Sequence, residues 1–236
     1  MTIAELHNVT HNFSDKRVLA NVSLSFLKNR ITALLGSSGS GKSTILKIIN
    51  GMVRPDSGTV RVFGEDFDYQ NPARLRLKTG YAVQNIGLFP HLNIQENIAL
   101  LGKITGRPST FIQERTAFLL SAVQLPDSYL KKYPYQLSGG EQQRVGLCRA
   151  FFLQPPLVLM DEPFASLDYK TKANIYEYLL RLQAQEPTSV IIVTHQLEEA
   201  ELLADEFVWI NEGKVFKQGG KAELDQIKYE FKEQHR

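Results

Sequence analysis

The order of apolar and polar positions predicts short strands that alternate with helices. Uninterrupted apolar runs, which are typical of parallel strands buried on both faces, occur at Ile31–Leu35, Leu157–Asp161 and Val190–Thr194. Two other segments repeat apolar residues at helical spacing, namely Phe111, Phe118, Leu119, Ala122 and Val123 in the first and Ile175, Tyr178, Leu179 and Leu182 in the second. Strands in alternation with helices favour an α/β fold.

Shorter strands are predicted towards both ends of the chain. Val22–Phe26 and Thr59–Phe63 alternate in the way of half-buried strands. Phe207–Ile210 and Lys214–Gln218 are joined by Asn211-Glu212-Gly213, which predicts a hairpin.

The segment from about Ile86 to Ala150 differs from the rest, because it is rich in helical patterns and lacks a clear buried strand. We therefore expect a core made of residues 1–85 and 151–236, with an N-terminal antiparallel β subdomain. An α-helical subdomain is expected at residues 86–150, inserted into that core.

Composition narrows the class of protein. The chain has 236 residues, of which 43% are hydrophobic, and 27 basic against 25 acidic residues give a net charge of +2. No basic block stands out, so we expect no nucleic-acid partner. The single cysteine, Cys148, lies in a helical run and is expected to be a small core residue in a reducing compartment.

The chain shows no signal for crossing a membrane. Its N-terminus has no basic start followed by an apolar stretch, and no run approaches the roughly 18–20 apolar residues of a membrane span. We therefore expect a cytoplasmic protein, and any part that crosses a membrane is expected on another chain.

A phosphate-binding motif follows the first buried strand. Gly36-Ser37-Ser38-Gly39-Ser40-Gly41-Lys42-Ser43 fits G-x-x-x-x-G-K-[ST], and a helical run at Thr44–Ile49 comes after it, ended by Asn50-Gly51. Glycines let the backbone N–H groups point at phosphate oxygens, and the helix N-terminus adds positive charge. The candidate nucleotide-binding residues are Gly36, Ser37, Ser38, Gly39, Ser40, Gly41, Lys42, Ser43 and Thr44. ATP and Mg²⁺ are the expected ligands, with Lys42 on the β- and γ-phosphates and the Ser43 hydroxyl on the metal.

Two adjacent acids end the second buried strand. Asp161 and Glu162 follow Leu157–Met160, and the carboxyl ends of strands line the crevice in which α/β sheets bind ligands. Asp161 is the candidate Mg²⁺ partner. Glu162 is the candidate for polarising the attacking water.

The run Leu137-Ser138-Gly139-Gly140-Glu141-Gln142-Gln143-Arg144 resembles the signature sequence of ABC-transporter ATPases, which usually has glutamine where Glu141 stands. The resemblance covers the chain from about Leu6 to Leu224. It implies a P-loop NTPase (RecA-like) core. It also implies that Ser138, Gly139 and Gly140 open a helix that reads the γ-phosphate held by an opposite subunit, so that two chains enclose two ATP molecules.

Further positions match the family in order along the chain. The resemblance implies that Gln84 is the Q-loop glutamine, which senses Mg²⁺ and the attacking water, and that His195 is the switch histidine at the γ-phosphate. It places Ser166-Leu167-Asp168 at the D-loop, with Asp168 among the nucleotide-site residues. Phe13 is identified as the aromatic residue that stacks on adenine, with His11 and Tyr69 as weaker alternatives.

This sequence departs from the family pattern at a second place. Asn29-Arg30 stands where Gly-Glu is common before the strand that leads to the phosphate loop. Asparagine tolerates left-handed backbone geometry, so we expect the turn to be kept.

The stretch Ile86-Gly87-Leu88-Phe89-Pro90-His91 resembles ATPases of osmoprotectant importers, which move glycine betaine, choline or carnitine. The resemblance implies a homodimer, or a pair with a similar ATPase, at the cytoplasmic face of the inner or plasma membrane. It also implies integral membrane permease subunits and an extracytoplasmic solute-binding protein as partners.

Three alternatives stay open at the level of sequence. Importers of polar amino acids share most of the same motifs, and an exporter or lipid-trafficking ATPase belongs to the same superfamily. A non-transport ABC ATPase of DNA repair or translation is disfavoured, because the chain has neither a long heptad run nor a second cassette.

Overall fold

The computed structural model describes residues 1–83, 87–165 and 167–234, and they pack into two compact units. The first unit consists of Met1–Arg76, Leu159–Glu162 and Ser189–Arg236, and the second of Leu77–Val158 and Pro163–Thr188. The domain boundaries expected from the sequence stay a prediction.

The strands and helices follow one another along the chain with these bounds. The strands are β1 (Thr2–Phe13), β2 (Lys16–Leu27), β3 (Ile31–Leu35), β4 (Ser57–Val62), β5 (Glu65–Asp66), β6 (Thr79–Ala82), β7 (Leu157–Asp161), β8 (Ser189–Val193), β9 (Glu206–Asn211) and β10 (Lys214–Gly220). The α-helices are α1 (Lys42–Ile49), α2 (Ala73–Arg76), α3 (Ile94–Ile104), α4 (Ser109–Ala122), α5 (Gly139–Phe151), α6 (Tyr169–Gln185), α7 (Leu197–Leu203) and α8 (Lys221–Gln234).

An antiparallel sheet in the first unit has the strand order β2-β1-β4-β5. Leu6 of β1 pairs with Leu24 of β2 and with Val60 of β4, and all three side chains are buried. Several register shifts interrupt the β1–β2 ladder, which bends and twists such a pair. The antiparallel subdomain expected near the N-terminus is present, with strands longer than the two that the sequence predicted.

The first unit also contains a mixed sheet in which neighbouring strands follow the order β10-β9-β3-β8-β7. Strand β3 is parallel to both β8 and β9, and every residue of β3 and β8 is buried. Burial on both faces explains why these strands are continuous apolar runs in the sequence.

The predicted C-terminal hairpin is confirmed. Strands β9 and β10 are antiparallel, and Asn211 pairs with Lys214 across the turn. Glu212 and Gly213 have φ of 47° and 72°, as the two central residues of a tight hairpin turn require. Asn29 has φ of 58°, so the expected left-handed turn before β3 is also confirmed.

Helices α7 and α8 cover an apolar cluster beside β3 and β9. Trp209 is fully buried, and its ring makes edge contacts with Phe216 and Phe231 at 4.8 and 5.0 Å between centroids. Leu224 and Ile227 of α8 belong to the same cluster. The sequence pattern does not predict α8.

The second unit is mainly helical. Within residues 87–150, the part of that segment which the structure describes, α3, α4 and α5 form without any strand. Cys148 is fully buried, and burial raises the pKa of its thiol to about 12. The expected role of Cys148 as a small core residue is therefore confirmed.

No helix within the described ranges combines the length and the apolar character needed to cross a membrane.

Candidate functional site

The phosphate loop of the first unit joins the buried end of β3 to the start of α1. Gly36 has φ of 146°, and a Cβ there would lie 2.2 Å from the carbonyl oxygen of Ile210. Gly41 has φ of 107°, and its Cβ would lie 2.6 Å from the Leu19 side chain. Both positions therefore require glycine for space as well as for backbone geometry.

Lys42 begins α1, and its side chain folds back over this loop. Only 4% of the residue is exposed, and its Nζ donates to the carbonyl oxygens of Gly36 and Ser37, each at 2.8 Å. Burial lowers the pKa of Lys42, and the nearby carboxylates of Glu162 and Asp161 act in the opposite direction. The loop thus holds a buried ammonium group against its own backbone.

Ser43 and Asp161 meet beside Lys42. The Ser43 hydroxyl donates to Asp161 Oδ1 at 2.7 Å, although the two residues are 118 positions apart in sequence. A hydroxyl and a carboxylate are hard oxygen donors of the kind that Mg²⁺ prefers, and this ion keeps several waters or substrate oxygens as its other ligands. Among the described residues, no group of three or more His, Cys, Asp or Glu side chains could hold a metal ion, here or elsewhere. The donor set therefore fits Mg²⁺ bound together with a phosphate.

Glu162 and His195 lie at the carboxyl ends of neighbouring strands. His195 Nδ1 is 3.3 Å from Glu162 Oε2, and the two side chains are 48% and 23% exposed. Glu162 has φ of 45°, while its N–H donates to the Val193 carbonyl at 3.1 Å. A left-handed backbone costs about 1–2 kcal/mol in a residue other than glycine. Backbone strain of this kind is found most often at functional sites.

An open cavity of about 360 Å³ brings these elements together. It is lined by the loop residues Ser38, Gly39, Gly41, Lys42, Ser43 and Thr44, and by Glu162, Phe13, Lys16 and Val18. Phe13 ends β1 and is 48% exposed, with an edge contact to His11 at 4.6 Å. The structure therefore places an exposed aromatic ring beside the phosphate loop.

The other expected nucleotide-site residues lie in the second unit. Ser138 caps α5, because its hydroxyl oxygen accepts from the Glu141 N–H. In return, the Ser138 N–H and hydroxyl donate to Glu141 Oε2 at 2.8 and 2.9 Å. Tyr129 donates to Glu141 Oε1 at 2.8 Å. Burial alone raises the pKa of Glu141, but the hydrogen bonds from Ser138 and Tyr129 lower it overall.

A cavity of about 340 Å³ opens at this helix start. Ser138, Gly139 and Gly140 line it together with Asp168. Asp168 caps α6 by accepting from the Thr171 backbone and hydroxyl, and these bonds lower its pKa. A Cβ on Gly140 would lie 2.5 Å from Thr171 Cγ2. The tight packing of this helix start therefore depends on glycine.

Some residues of these sites are not indicated by the sequence. Lys16 and Val18 line the phosphate-loop cavity, and no motif in the sequence indicates them. Tyr129 could have been suspected only from its place near the signature run. Gln84 and Ser166 lie outside the described residues.

This chain resembles a known protein family and several characterised relatives. Residues 19–165 match the family model described as ABC transporter. The choline transport ATP-binding protein OpuBA of Bacillus subtilis (strain 168) is 40% identical over 215 residues, which cover 91% of this chain and 56% of OpuBA. The glycine betaine uptake system ATP-binding protein YehX of Escherichia coli (strain K12) is 38% identical over 215 residues, which cover 91% of this chain and 70% of YehX. The chain thus spans little more than half the length of the first of these relatives.

The fold has close structural neighbours. The ATP-binding cassette MJ0796, solved as a dimer in a post-hydrolysis state bound to ADP and Pi, superposes with a TM-score of 0.82 at 30% identity. That likeness covers 92% of this chain and 98% of the cassette. The expected fold class, a P-loop NTPase core with an antiparallel β subdomain and an α-helical subdomain, is therefore confirmed.

Proposed function

Because this chain belongs to the ABC transporter family, we propose that it is an ATP-binding and ATP-hydrolysing subunit that powers solute import. The observation that carries this proposal is the convergence of three features in one unit. Lys42 is held over the glycine-rich loop, Ser43 meets Asp161, and Glu162 meets His195. Together they supply phosphate binding, metal binding and water activation.

In this proposal the first unit binds ATP from the base to the γ-phosphate. Phe13 stacks on adenine, and the backbone N–H groups of residues 36–44 surround the phosphates. The Lys42 ammonium exchanges its two carbonyl acceptors for phosphate oxygens, which bind a cation more strongly. Ser43 and Asp161, with Gln84, would hold Mg²⁺, which would neutralise charge on the phosphates.

Hydrolysis requires a base close to the attacking water. The Glu162 carboxylate accepts a hydrogen bond from that water and takes its proton as the water oxygen bonds to the γ-phosphorus. The bond from the γ-phosphorus to the bridging oxygen breaks in the same step, and ADP leaves with that oxygen. His195 holds the γ-phosphate and contacts Glu162, so that the two groups fix the line of attack.

The signature segment works in trans. Ser138, Gly139 and Gly140 present a helix N-terminus, which attracts anions, to the γ-phosphate on a second copy or a similar ATPase. Asp168 lines the same cavity. The second partner is an integral membrane permease with an extracytoplasmic solute-binding protein, and the chain lies at the cytoplasmic face of the inner or plasma membrane. Quaternary-amine osmoprotectants are the proposed solute class, in line with choline transport by OpuBA and glycine betaine uptake by YehX.

The proposal is tested by the pair Lys42→Ala and Lys47→Ala. Both changes remove a lysine from α1, but Lys42 is buried in the loop, whereas Lys47 is exposed. We expect Lys42→Ala to reduce ATP turnover by at least about 100-fold, because it removes the charge that binds the phosphates. Lys47→Ala should remain within about twofold of the unchanged protein.

Steady-state phosphate release with a purified, folded sample is the measurement. Near-normal turnover in Lys42→Ala would remove the basis for the site assignment. Circular dichroism of both variants separates loss of the fold from loss of the phosphate contact.

A further inference from the structure

Thr194, the residue before His195, forms a buried hydrogen bond with Glu199. Thr194 is 2% exposed and Glu199 is 4% exposed, and the Thr194 hydroxyl donates to Glu199 Oε2 at 2.6 Å. Glu199 stands in the first turn of α7. A hydrogen bond to a carboxylate is about twice as strong as one between neutral groups, and burial strengthens it further.

Hydrogen bonds of Thr194 fix the backbone on both sides of His195, and its hydroxyl makes the bond on the far side. On one side, the Thr194 N–H donates to the Leu34 carbonyl of β3 at 3.1 Å. On the other side, the Gln196 N–H donates to Thr194 Oγ1 at 3.0 Å. His195 is thus the single residue between two fixed backbone groups.

The imidazole itself is only partly enclosed by the protein, since its side chain is 48% exposed. Its place 3.3 Å from Glu162 therefore depends on the backbone from which it projects. Glu162 is fixed to the same strand end through its N–H bond to Val193. The positions of Glu162 and His195 are consequently both fixed relative to the end of β8.

We propose that Thr194 and Glu199 are positioning residues, which hold His195 in register with Glu162 during ATP hydrolysis. This inference rests on the proposed function. Neither residue needs to touch the nucleotide, because both act through the backbone of His195.

Isosteric variants test the proposal. Thr194→Val keeps the shape and removes the hydroxyl, while Thr194→Ser keeps the hydroxyl. We expect Thr194→Val to lower kcat for ATP about tenfold or more, because small displacements of a reacting group are costly, with KM changed less than about twofold. Thr194→Ser and Glu199→Gln, which retain a donor and an acceptor respectively, should recover most of kcat.

Glu198→Ala is the matched control. Glu198 precedes Glu199 in the same first turn of α7 but is exposed. Its removal takes the same charge from the helix N-terminus without touching the Thr194 hydroxyl. It should leave kcat within about twofold, which separates the effect of the hydrogen bond from a general effect on α7.

A readout that does not depend on activity completes the experiment. The imidazole ¹⁵N spectrum identifies the His195 signal by its loss in His195→Ala. In Thr194→Val we expect this signal alone to shift or broaden, while those of the other four histidines stay in place. An unchanged His195 signal, an unchanged kcat, or equal losses in kcat and affinity would overturn the proposal. If the protein without any substitution had no ATPase activity, the proposed function would be contradicted instead. The histidine spectra would still decide whether Thr194 positions His195.

Discussion

Single residues of the phosphate loop are arranged for an anionic ligand. Lys42 is buried, which lowers its pKa, and the carboxylates of Glu162 and Asp161 favour its charged form. An incoming phosphate favours the same charged form but is repelled by the two carboxylates. A divalent cation at Ser43 and Asp161 relieves that repulsion. The loop therefore suits a phosphate that arrives with Mg²⁺ better than a bare phosphate.

Two loop glycines should differ sharply in their response to alanine. A Cβ at Gly36 would overlap the Ile210 carbonyl at 2.2 Å, whereas a Cβ at Gly39 meets nothing within 4 Å. Gly39 has φ of 77°, so Gly39→Ala should cost only the strain of a left-handed residue, about 1–2 kcal/mol. Gly36→Ala should cost clearly more, because backbone must move.

Urea unfolding of both variants measures this difference. Equal destabilisation would contradict the described geometry of the loop. ATP binding provides a second check, since Gly39→Ala should retain it in a folded protein.

The sequence indicates these residues because a motif fixes the order of residue types around a phosphate. It does not indicate the left-handed backbone of Glu162, since this depends on a hydrogen bond to Val193 on the next strand. For a similar reason, the sequence gives no indication of the hydrogen bond between Thr194 and Glu199. Threonine and glutamate five residues apart are unremarkable until folding buries both.

At the scale of elements, hydrogen bonds hold both ends of α5, the helix that begins at the signature segment. Ser138 and Glu141 form a reciprocal capping box at the start of α5. At its end, Arg115 of α4 donates to the carbonyl oxygens of Phe151 and Phe152. Arg115 also forms a bidentate pair with Glu186, at the end of α6, in which its Nη2 lies 2.5 Å from Oε2. One buried guanidinium therefore joins three helices.

Arg115→Leu should destabilise the protein by about 3–5 kcal/mol, since it removes the charge partner of Glu186 and a donor from two carbonyl groups. Glu186 would keep only a neutral donor in the charge's place, the Gln154 side chain. Arg115 is only 5% exposed, so water cannot readily replace it. Glu114→Leu on the exposed neighbouring position is the matched control and should change stability by less than about 0.5 kcal/mol.

Urea unfolding again gives the measurement. The double variant Arg115→Leu with Glu186→Leu should recover part of the loss, because no unpaired charge remains. A double variant less stable than Arg115→Leu would contradict this account of the pair.

Elements differ in how far the sequence predicts them. Buried strands such as β3 and β8 are evident, because both faces are apolar. Strand β1 was not predicted, since its register shifts break the alternation on which a strand prediction relies. Helix α8 was missed because its apolar residues Leu224, Ile227 and Phe231 are few among many charges, and it depends on packing against Trp209.

At the scale of the whole molecule, each unit carries half of the proposed ATP site. The first unit contains the loop, the proposed metal ligands Ser43 and Asp161 and the proposed base Glu162, whereas the second contains the start of α5. In the proposed assembly, ATP bound to one copy meets the signature segment of another. ATP should therefore control the association of two chains, and hydrolysis should release them.

Glu162→Gln tests this control directly. The change keeps the size of the side chain and removes the base, so hydrolysis should fall by about 10²–10⁴-fold. ATP should still bind, because Lys42, Ser43 and Asp161 remain. We expect a dimer that accumulates with ATP and dissociates when ATP is withdrawn, as followed by size-exclusion chromatography.

Adding Ser138→Arg to Glu162→Gln should prevent that dimer. The new side chain places bulk at the cap of α5, where the γ-phosphate of the other copy is proposed to dock, and it disrupts the capping box. ATP binding by the single chain should survive, because the loop that binds it belongs to the first unit. Ser121→Arg makes the same chemical change at an exposed position of α4 and should leave the dimer intact. If the double variant with Ser138→Arg dimerises as well as Glu162→Gln alone, the two chains do not enclose ATP between loop and signature, and the dimer must form through another surface.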